Sequence, residues 1–316
     1  MALVIVLLLV ATLSFVLLSL TTIVTTGVRR GASERARSEM LWQALAAERV
    51  ALAIIAKAAA GGALQTATNE GGLFRQQLAL PMERGEVVVR FADASRCFNV
   101  NSIISEAAPY EIQATEKAEF GFLLEAAGLV GNEAQGVVDA VSDFLDSNSS
   151  QETQGAEDSF YTSLTTPYRT SGGPIASVSE LRAVEGVTRE IYGRIAPFLC
   201  ARAPGQKIDI NINALTPERA PLIYALTEGQ WSVDQVASQI AQTPPGGWQP
   251  DTSQFWAAFP GGGSQSSNGR TTTKSTWIEA RVFLEADRRF VEETLIIQAP
   301  NGGDPSLYSR VFGGGD

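Results

Sequence analysis

The stretch "MALVIVLLLVATLSFVLLSLTTIVTTGVRRGASERARSEMLWQALAAERVALAIIAKAAAGG", residues 1–62, decides how the rest of this chain is read. Its first charged residue is Arg29. A helix rises about 1.5 Å per residue, so roughly 20 apolar residues cross the hydrocarbon core of a bilayer. Residues 1–28 are therefore expected to form a transmembrane helix. A removable signal peptide has a basic segment ahead of a shorter apolar run. Here the run starts at residue 1, which predicts a retained helix. The helical pattern does not stop at the membrane edge. From Ser33 to Ala60 there is no Pro or Gly, and Leu41, Leu45, Leu52 and Ile55 recur near helical spacing. One helix of about 55 residues is expected, beginning in the membrane and ending packed on a soluble domain.

Working outward, 316 residues are enough for two or three packed lobes, and an apolar share of 45% is that of a folding chain. The 34 carboxylates against 24 Lys and Arg give a formal charge of -10. Binding to nucleic acid displaces counterions with basic surface, so no nucleic-acid partner is expected. There is no histidine, which removes the commonest general base and the commonest transition-metal ligand. The two cysteines cannot build a four-thiolate zinc site. No G-x-S-x-G elbow and no phosphate-binding G-x-x-x-x-G-K-[ST] loop occurs. Carboxylate or Ser/Lys chemistry needs no histidine, but two acidic groups would have to converge in a pocket. The expectation is that the chain is not an enzyme.

The soluble part opens on a strand, "EVVVRF" at 86–91. Helix-spaced apolar residues follow over 110–129 and 133–145. "SVSELRAVEGVTREIYGRIAPFL" begins with a Ser177–Glu180 capping box and breaks at Gly186. That hairpin resembles a helix-hairpin-helix, a module that holds DNA phosphates through backbone N–H groups; a hairpin used only for packing is the simpler reading. "KIDININAL" alternates as a strand, Thr216 is expected to cap a helix with Pro217 at its first position, and Ser232 with Gln235 makes a second capping box. Runs 275–286 and 289–298 read as a terminal hairpin, and "FGGGD" as a loose tail.

Two segments echo each other. "RCFNVNS" at 96–102 and "IDININA" at 208–214 both carry Asn-x-Asn ahead of a helix, and Cys97 and Cys200 lie near them. Asn99 with Asn101 and Asn211 with Asn213 are expected to cap helices or close turns. The similar settings place the two cysteines near each other, either as buried free thiols or as a disulfide. A disulfide closing a loop of about 100 residues stabilises by roughly 4–5 kcal/mol and belongs in an oxidising compartment.

The acidic passage "DFLDSNSSQETQGAED", 143–158, leaves two readings open. Counted from Asp146, oxygen donors fall at Asp146, Asn148, Ser150, Glu152 and Glu157, the first, third, fifth, seventh and twelfth positions of a calcium loop. Gln151 stands at the sixth position, where the sharp turn needs Gly, so an EF-hand is not expected. On the residues alone, a solvated acidic loop is favoured over a cation site.

The segments "MALVIVLLLV", "CFNVNS", "DFLDSNSS", "GAEDSFY", "PYR", "SVSELRAVEGVT" and "ININAL" occur in the order and character of one family. The chain resembles the type II secretion minor pseudopilin K family, also called general secretion pathway protein K. The resemblance implies an α+β fold: a long N-terminal transmembrane helix and a pilin-like helix-plus-antiparallel-sheet core with a large inserted α-helical domain. The expected division is a transmembrane helix at 1–28, helix continuation and first strands at 29–101, the insert at 102–262 in two lobes split near 205, and C-terminal strands with the tail at 263–316.

The same resemblance implies a structural role at the tip of the type II secretion pseudopilus. The chain would initiate or cap assembly with minor pseudopilins I and J, for protein export. Other pseudopilins, prepilin peptidase, secreted cargo and the outer-membrane secretin complete the implied contacts. The alternative reading, of a different class, is a membrane-anchored helix-hairpin-helix protein handling DNA.

Most pilin-like proteins carry a glutamate at the fifth mature residue. With Met1 as the processed, methylated N-terminus, that position is Ile5, and protein K is the member lacking the glutamate. An apolar side chain there seeks no partner from a subunit above. The resemblance also implies calcium in the insert, carried onto Asp143, Asp146, Asn148, Glu152, Glu157 and Asp158. Location is the one conflict. Arg29, Arg30, Arg35 and Arg37 just after the span favour a cytoplasmic domain by the positive-inside rule. A Cys97–Cys200 disulfide and a basic leader ahead of residue 1 would instead give a single-pass inner-membrane protein with its C-terminal domain in the periplasm.

Overall fold

The computed structural model describes residues 2–68, 71–81, 85–260, 270–286, 289–300 and 303–313. Met1 lies outside them. The chain starts with one continuous helix, α1 (Ala2–Ala60). Its first half exposes every large apolar side chain from Leu3 to Val28, Ile5 included. Its second half buries Met40, Ala44, Ala47, Glu48, Ala51 and Ile55. Of the expected face Leu41–Leu45–Leu52–Ile55, Ile55 is fully buried, while the buried stripe runs beside the three leucines, which flank it half-buried. The reason is size: alanines at 44, 47 and 51 let the helix backbone lie close to a sheet, which leucines would hold off.

That sheet begins with β1 (Gln77–Pro81) and β2 (Glu86–Asp93). β2 alternates, with Val87, Val89 and Phe91 facing α1 and Val88 and Arg90 facing away. The chain then leaves through β3 (Phe98–Asn99) into a helical body of α2 (Ala114–Ala126), α3 (Asn132–Leu145), α4 (Asp158–Thr162) and α5 (Arg189–Ile195). It continues through β4 (Leu199–Cys200) and β5 (Ile210–Asn211), then α6 (Ala220–Leu226), α7 (Val233–Ile240) and α8 (Ser253–Trp256). After β6 (Thr271–Thr272) it returns to the sheet as β7 (Trp277–Ala286), β8 (Arg289–Gln298) and β9 (Ser306–Phe312).

The sheet is antiparallel throughout, ordered β1-β2-β7-β8-β9. β2 and β7 are neighbours although the whole helical body separates them in sequence, so the body is an excursion between two paired strands. The cores follow the same division. One joins Met40, Ala47, Ala51 and Ile55 to Val89, Ile278, Val282 and Leu295. The other runs from Phe98 to Phe259 within the excursion.

Several local expectations change. "KIDININAL" forms only the two-residue β5, because Asn211 turns the chain at once by accepting Asn213 N–H. Thr216 makes no side-chain cap; its hydroxyl engages the Glu218 carboxyl, and the element there is a short 3₁₀ turn. The capping boxes at Ser177–Glu180 and Ser232–Gln235 are both present, the first on a 3₁₀ helix rather than an α-helix. β9 takes Phe312 from the expected tail, and residues 314–316 lie outside the described set. Of the first strands expected within 29–101, only 86–91 was placed; β1 was not, because its Leu78 and Leu80 alternate over too few residues to read as a pattern.

Candidate functional site

Two places concentrate polar side chains in the interior: the seam where the excursion leaves and rejoins the sheet, and the acidic loop. At the seam β3 pairs parallel with β4, and Cys97 and Cys200 form a disulfide with Cα atoms 5.8 Å apart. The two Asn-x-Asn segments do matching work. Asn99 Oδ1 accepts Asn101 N–H at 3.2 Å, as Asn211 Oδ1 accepts Asn213 N–H at 3.0 Å, and each asparagine caps a 3₁₀ turn. Their amides then tie distant chain together. Asn99 Nδ2 donates to Ala203 and Gln206 carbonyls, and Asn101 Nδ2 to those of Ile175 and Arg202.

Asn211 Nδ2 donates to Asp93 Oδ2 and Ser275 Oγ, both at 2.9 Å. Asp93 ends β2 and is wholly enclosed. Burial pushes its carboxyl above the ordinary range, against the pull of bonds from Ser275, Ser95 and Asn211. Arg202 is buried beside them with its guanidinium 5.2 Å over the Trp277 ring and 5.7 Å over that of Tyr308. Sequence reasoning found the asparagines by their echo. It missed Asp93, Ser275 and Arg202, whose partners lie far away in the chain.

The acidic loop leaves the end of α3. Asp143 is on its last turn and Asp146 follows, both buried, and Glu157, also buried, precedes α4. Asp143 and Asp146 are both pushed up to about 6, first by burial and then by neighbouring carboxylates: Glu157 and Glu152 on Asp143, Asp143 and Glu152 on Asp146. Burial and then Asp146 raise Glu157 in turn. Glu157 Oε1 has no hydrogen-bond partner among the described residues. Like charges gathered with an orphaned buried oxygen fit a hard divalent cation, which oxygen donors suit.

The remaining expected ligands are arranged differently. Asn148 accepts Ser150 N–H at 2.6 Å and so closes a turn. Glu152 is shared with Lys117 Nζ at 2.9 Å, which also reaches Asp139 at 3.1 Å. Asp158 has partners of its own, Thr170 N–H at 2.9 Å and Arg169 Nη1 at 2.7 Å, which lower its pKa, while its charge helps to raise Glu157. Among the described residues, no group of three or more His, Cys, Asp or Glu side chains is placed to hold a metal ion. Gly155 is a participant the sequence reading did not assign. A Cβ there would sit on Asp143 Oδ2 and close against Asp139 O, so only glycine lets the loop fold over the carboxylate.

The helix-hairpin-helix resemblance ends in packing. Leu181, Val184, Val187, Ile191 and Ile195 are spent in the excursion's core. The N–H groups that such a module would offer to phosphates are taken: Glu185 donates to Tyr161 Oη, Val187 to Val184 O and Ile191 to Thr188 Oγ1.

Two family models described as type II secretion system protein K match the chain, one over residues 96–204 and the other over 210–274. A type II secretion system protein K of Aeromonas hydrophila is 32% identical over 77% of this chain and 75% of its own. The chain belongs to the type II secretion system protein K family. The protein K of Pectobacterium carotovorum is 29% identical, over 90% of this chain and 87% of the relative. The fold is also that of a solved protein. The structure described as the GspK-GspI-GspJ complex from the enterotoxigenic Escherichia coli type 2 secretion system contains a chain superposing with a TM-score of 0.74 at 22% identity, over 90% of this chain and 99% of that one. The protein K models cover the excursion from just before β3 to just after β6. The body set between β2 and β7 is therefore the part that the family models match.

Proposed function

We propose that this protein K is a structural, non-enzymatic subunit at the tip of the type II secretion pseudopilus, assembled with minor pseudopilins I and J. The observation that carries the reading is one helix doing two jobs. The half of α1 from Leu3 to Val28 is apolar and exposed, and the half from Met40 to Ile55 is packed on the sheet. The first half anchors the subunit by a single pass in the inner membrane and packs among neighbouring helices once extracted. The helical excursion adds bulk that a further subunit could not stack over. A relative of the same fold is described in complex with GspI and GspJ, which supports the choice of partners.

The Cys97–Cys200 disulfide supports a periplasmic domain, because disulfides persist in oxidising compartments. This outweighs the arginines after the span, whose bias a basic leader cancels. With Met1 as the methylated product of prepilin peptidase, Ile5 makes no ionic request of a subunit above. Calcium is the cation we assign to the acidic loop, held by Asp143, Asp146 and Glu157 with Asn148 and Glu152 at the rim. Bound there, it supplies charge neutralisation that stiffens the loop between α3 and α4. Secreted cargo and the secretin are the contacts expected beyond the tip.

Co-expression of the full chain with pseudopilins I and J of its own system, followed by purification in detergent, tests the central claim. A stoichiometric three-protein complex is expected. Recovery of this protein alone, with I and J pairing without it, contradicts the reading.

A further inference from the structure

The sheet face turned away from α1 carries a further feature. A cleft of about 430 Å³ opens there, lined by Arg75, Arg90, Arg96 and Arg281, with Phe283 among its walls and Glu279 as the lone carboxylate of the lining. Arg90 on β2 lies directly opposite Arg281 on β7 in the sheet register. Like charges facing each other across strands are destabilising, so this pair stands against local electrostatics. Neighbours hold both in place. Arg90 Nε donates to Gln77 Oε1 at 3.2 Å and its guanidinium lies 5.5 Å from the Phe283 ring centre, while Arg281 pairs with Glu279. Arg75 and Arg96 have no ion-pair partner among the described residues.

The excursion adds to the same field. Arg219 feels both Arg96 and Glu279, and the buried Arg202 feels Glu279. Glu218 also acts on Arg219, but within the cleft lining Glu279 alone faces four guanidiniums, in a protein whose formal charge is -10.

We propose that this cleft docks an acidic segment of a partner protein, whose Asp or Glu carboxylates supply counter-charge to Arg75, Arg90 and Arg96 and compete with Glu279 for Arg281. Guanidinium forks match carboxylates two bonds at a time, and the phenylalanine wall accepts apolar residues between them. A long polyanion such as nucleic acid would meet the acidic remainder of the surface, which favours a short peptide segment. The cleft lies on strands that pack against Met40 to Ile55 of α1, beyond the apolar span, which sets it apart from the bilayer headgroups.

The test uses the full chain in neutral detergent micelles and a fluorescein-labelled peptide Glu-Phe-Glu-Glu-Phe-Glu, read by anisotropy. Saturable binding is expected, weakening with salt and lost when glutamine replaces each glutamate of the peptide. The Arg90→Ala, Arg281→Ala double variant should bind about tenfold more weakly. Glu279→Gln, which removes the internal competitor, should bind severalfold more tightly, a gain that misfolding cannot imitate. The proposal is overturned if the peptide does not bind saturably, or if neither variant changes its affinity. It is equally overturned if a 12-mer oligodeoxynucleotide or phosphatidylglycerol vesicles outcompete the peptide at matched charge.

Discussion

Single side chains carry the chemistry of this protein in two buried carboxylate groups with different partners. In the acidic loop, Asp143, Asp146 and Glu157 repel one another, and Glu157 Oε1 has no partner among the described residues. Calcium addition should therefore raise the melting temperature. Asp146→Ala or Glu157→Ala should abolish most of that rise; calcium titration without a thermal shift in the unaltered protein would return the loop to a purely solvated one. Between α1 and the sheet, Arg310 of β9 serves two acids: its Nε is 2.8 Å from Glu48 Oε2 and 3.2 Å from Glu293 Oε1. Burial first, and then Glu48, push Glu293 from 4.5 up to about 6, against the attraction of Arg310. The folded state thus holds this proton more tightly than the unfolded chain. Its contribution to stability is full below about pH 4.5 and is lost as pH rises through about 6. With calcium held saturating, the melting temperature of the parent protein should fall relative to that of Glu293→Gln across this window. A constant difference between the two would contradict the assignment.

Among the elements, α1 shows how closely a helix can be laid on a sheet. Ala44 and Ala51 are fully buried and Ala47 nearly so. Ala51→Leu should overpack the contact and cost about 1–3 kcal/mol in urea denaturation, although leucine is at least as apolar. Val50→Leu, on the exposed side, should cost little. The helix itself was legible from its apolar run and the lack of breakers. The side it presents was legible only at Ile55, because leucines at 41, 45 and 52 outweigh alanines in any hydrophobic pattern. Helix-sheet spacing instead rewards small residues, and the buried Glu48 in the same stripe is explicable only by Arg310, 262 residues away. β1 escaped notice for a similar reason: a short edge strand is stabilised by its pairing with β2, not by its own pattern.

For the molecule as a whole, two cores meet at a seam made of one disulfide, three asparagines, Asp93 and Arg202. Closing a loop of 103 residues in the unfolded chain makes the disulfide worth about 4–5 kcal/mol in the entropy model. Cys97→Ser with Cys200→Ser should therefore lower stability by about 2–5 kcal/mol. In calorimetry it should also separate one unfolding transition into two, the excursion and the sheet losing their common restraint. A single transition at an unchanged temperature would count against the seam as the coupling element. The sequence by itself determined the anchor helix, the terminal strands, the capping boxes, the Asn-x-Asn turns and the family, because each rests on neighbours a few residues apart or on an ordered set of short motifs. It also brought the acidic residues of one loop to attention. Only the tertiary structure decided which of them face inward, that Asp158 pairs with Arg169, that Gly155 must lack a side chain, and that arginines from β2 and β7 gather in one cleft. Those outcomes depend on desolvation and on charges meeting across long separations, and neither burial nor long-range proximity is written in local spacing.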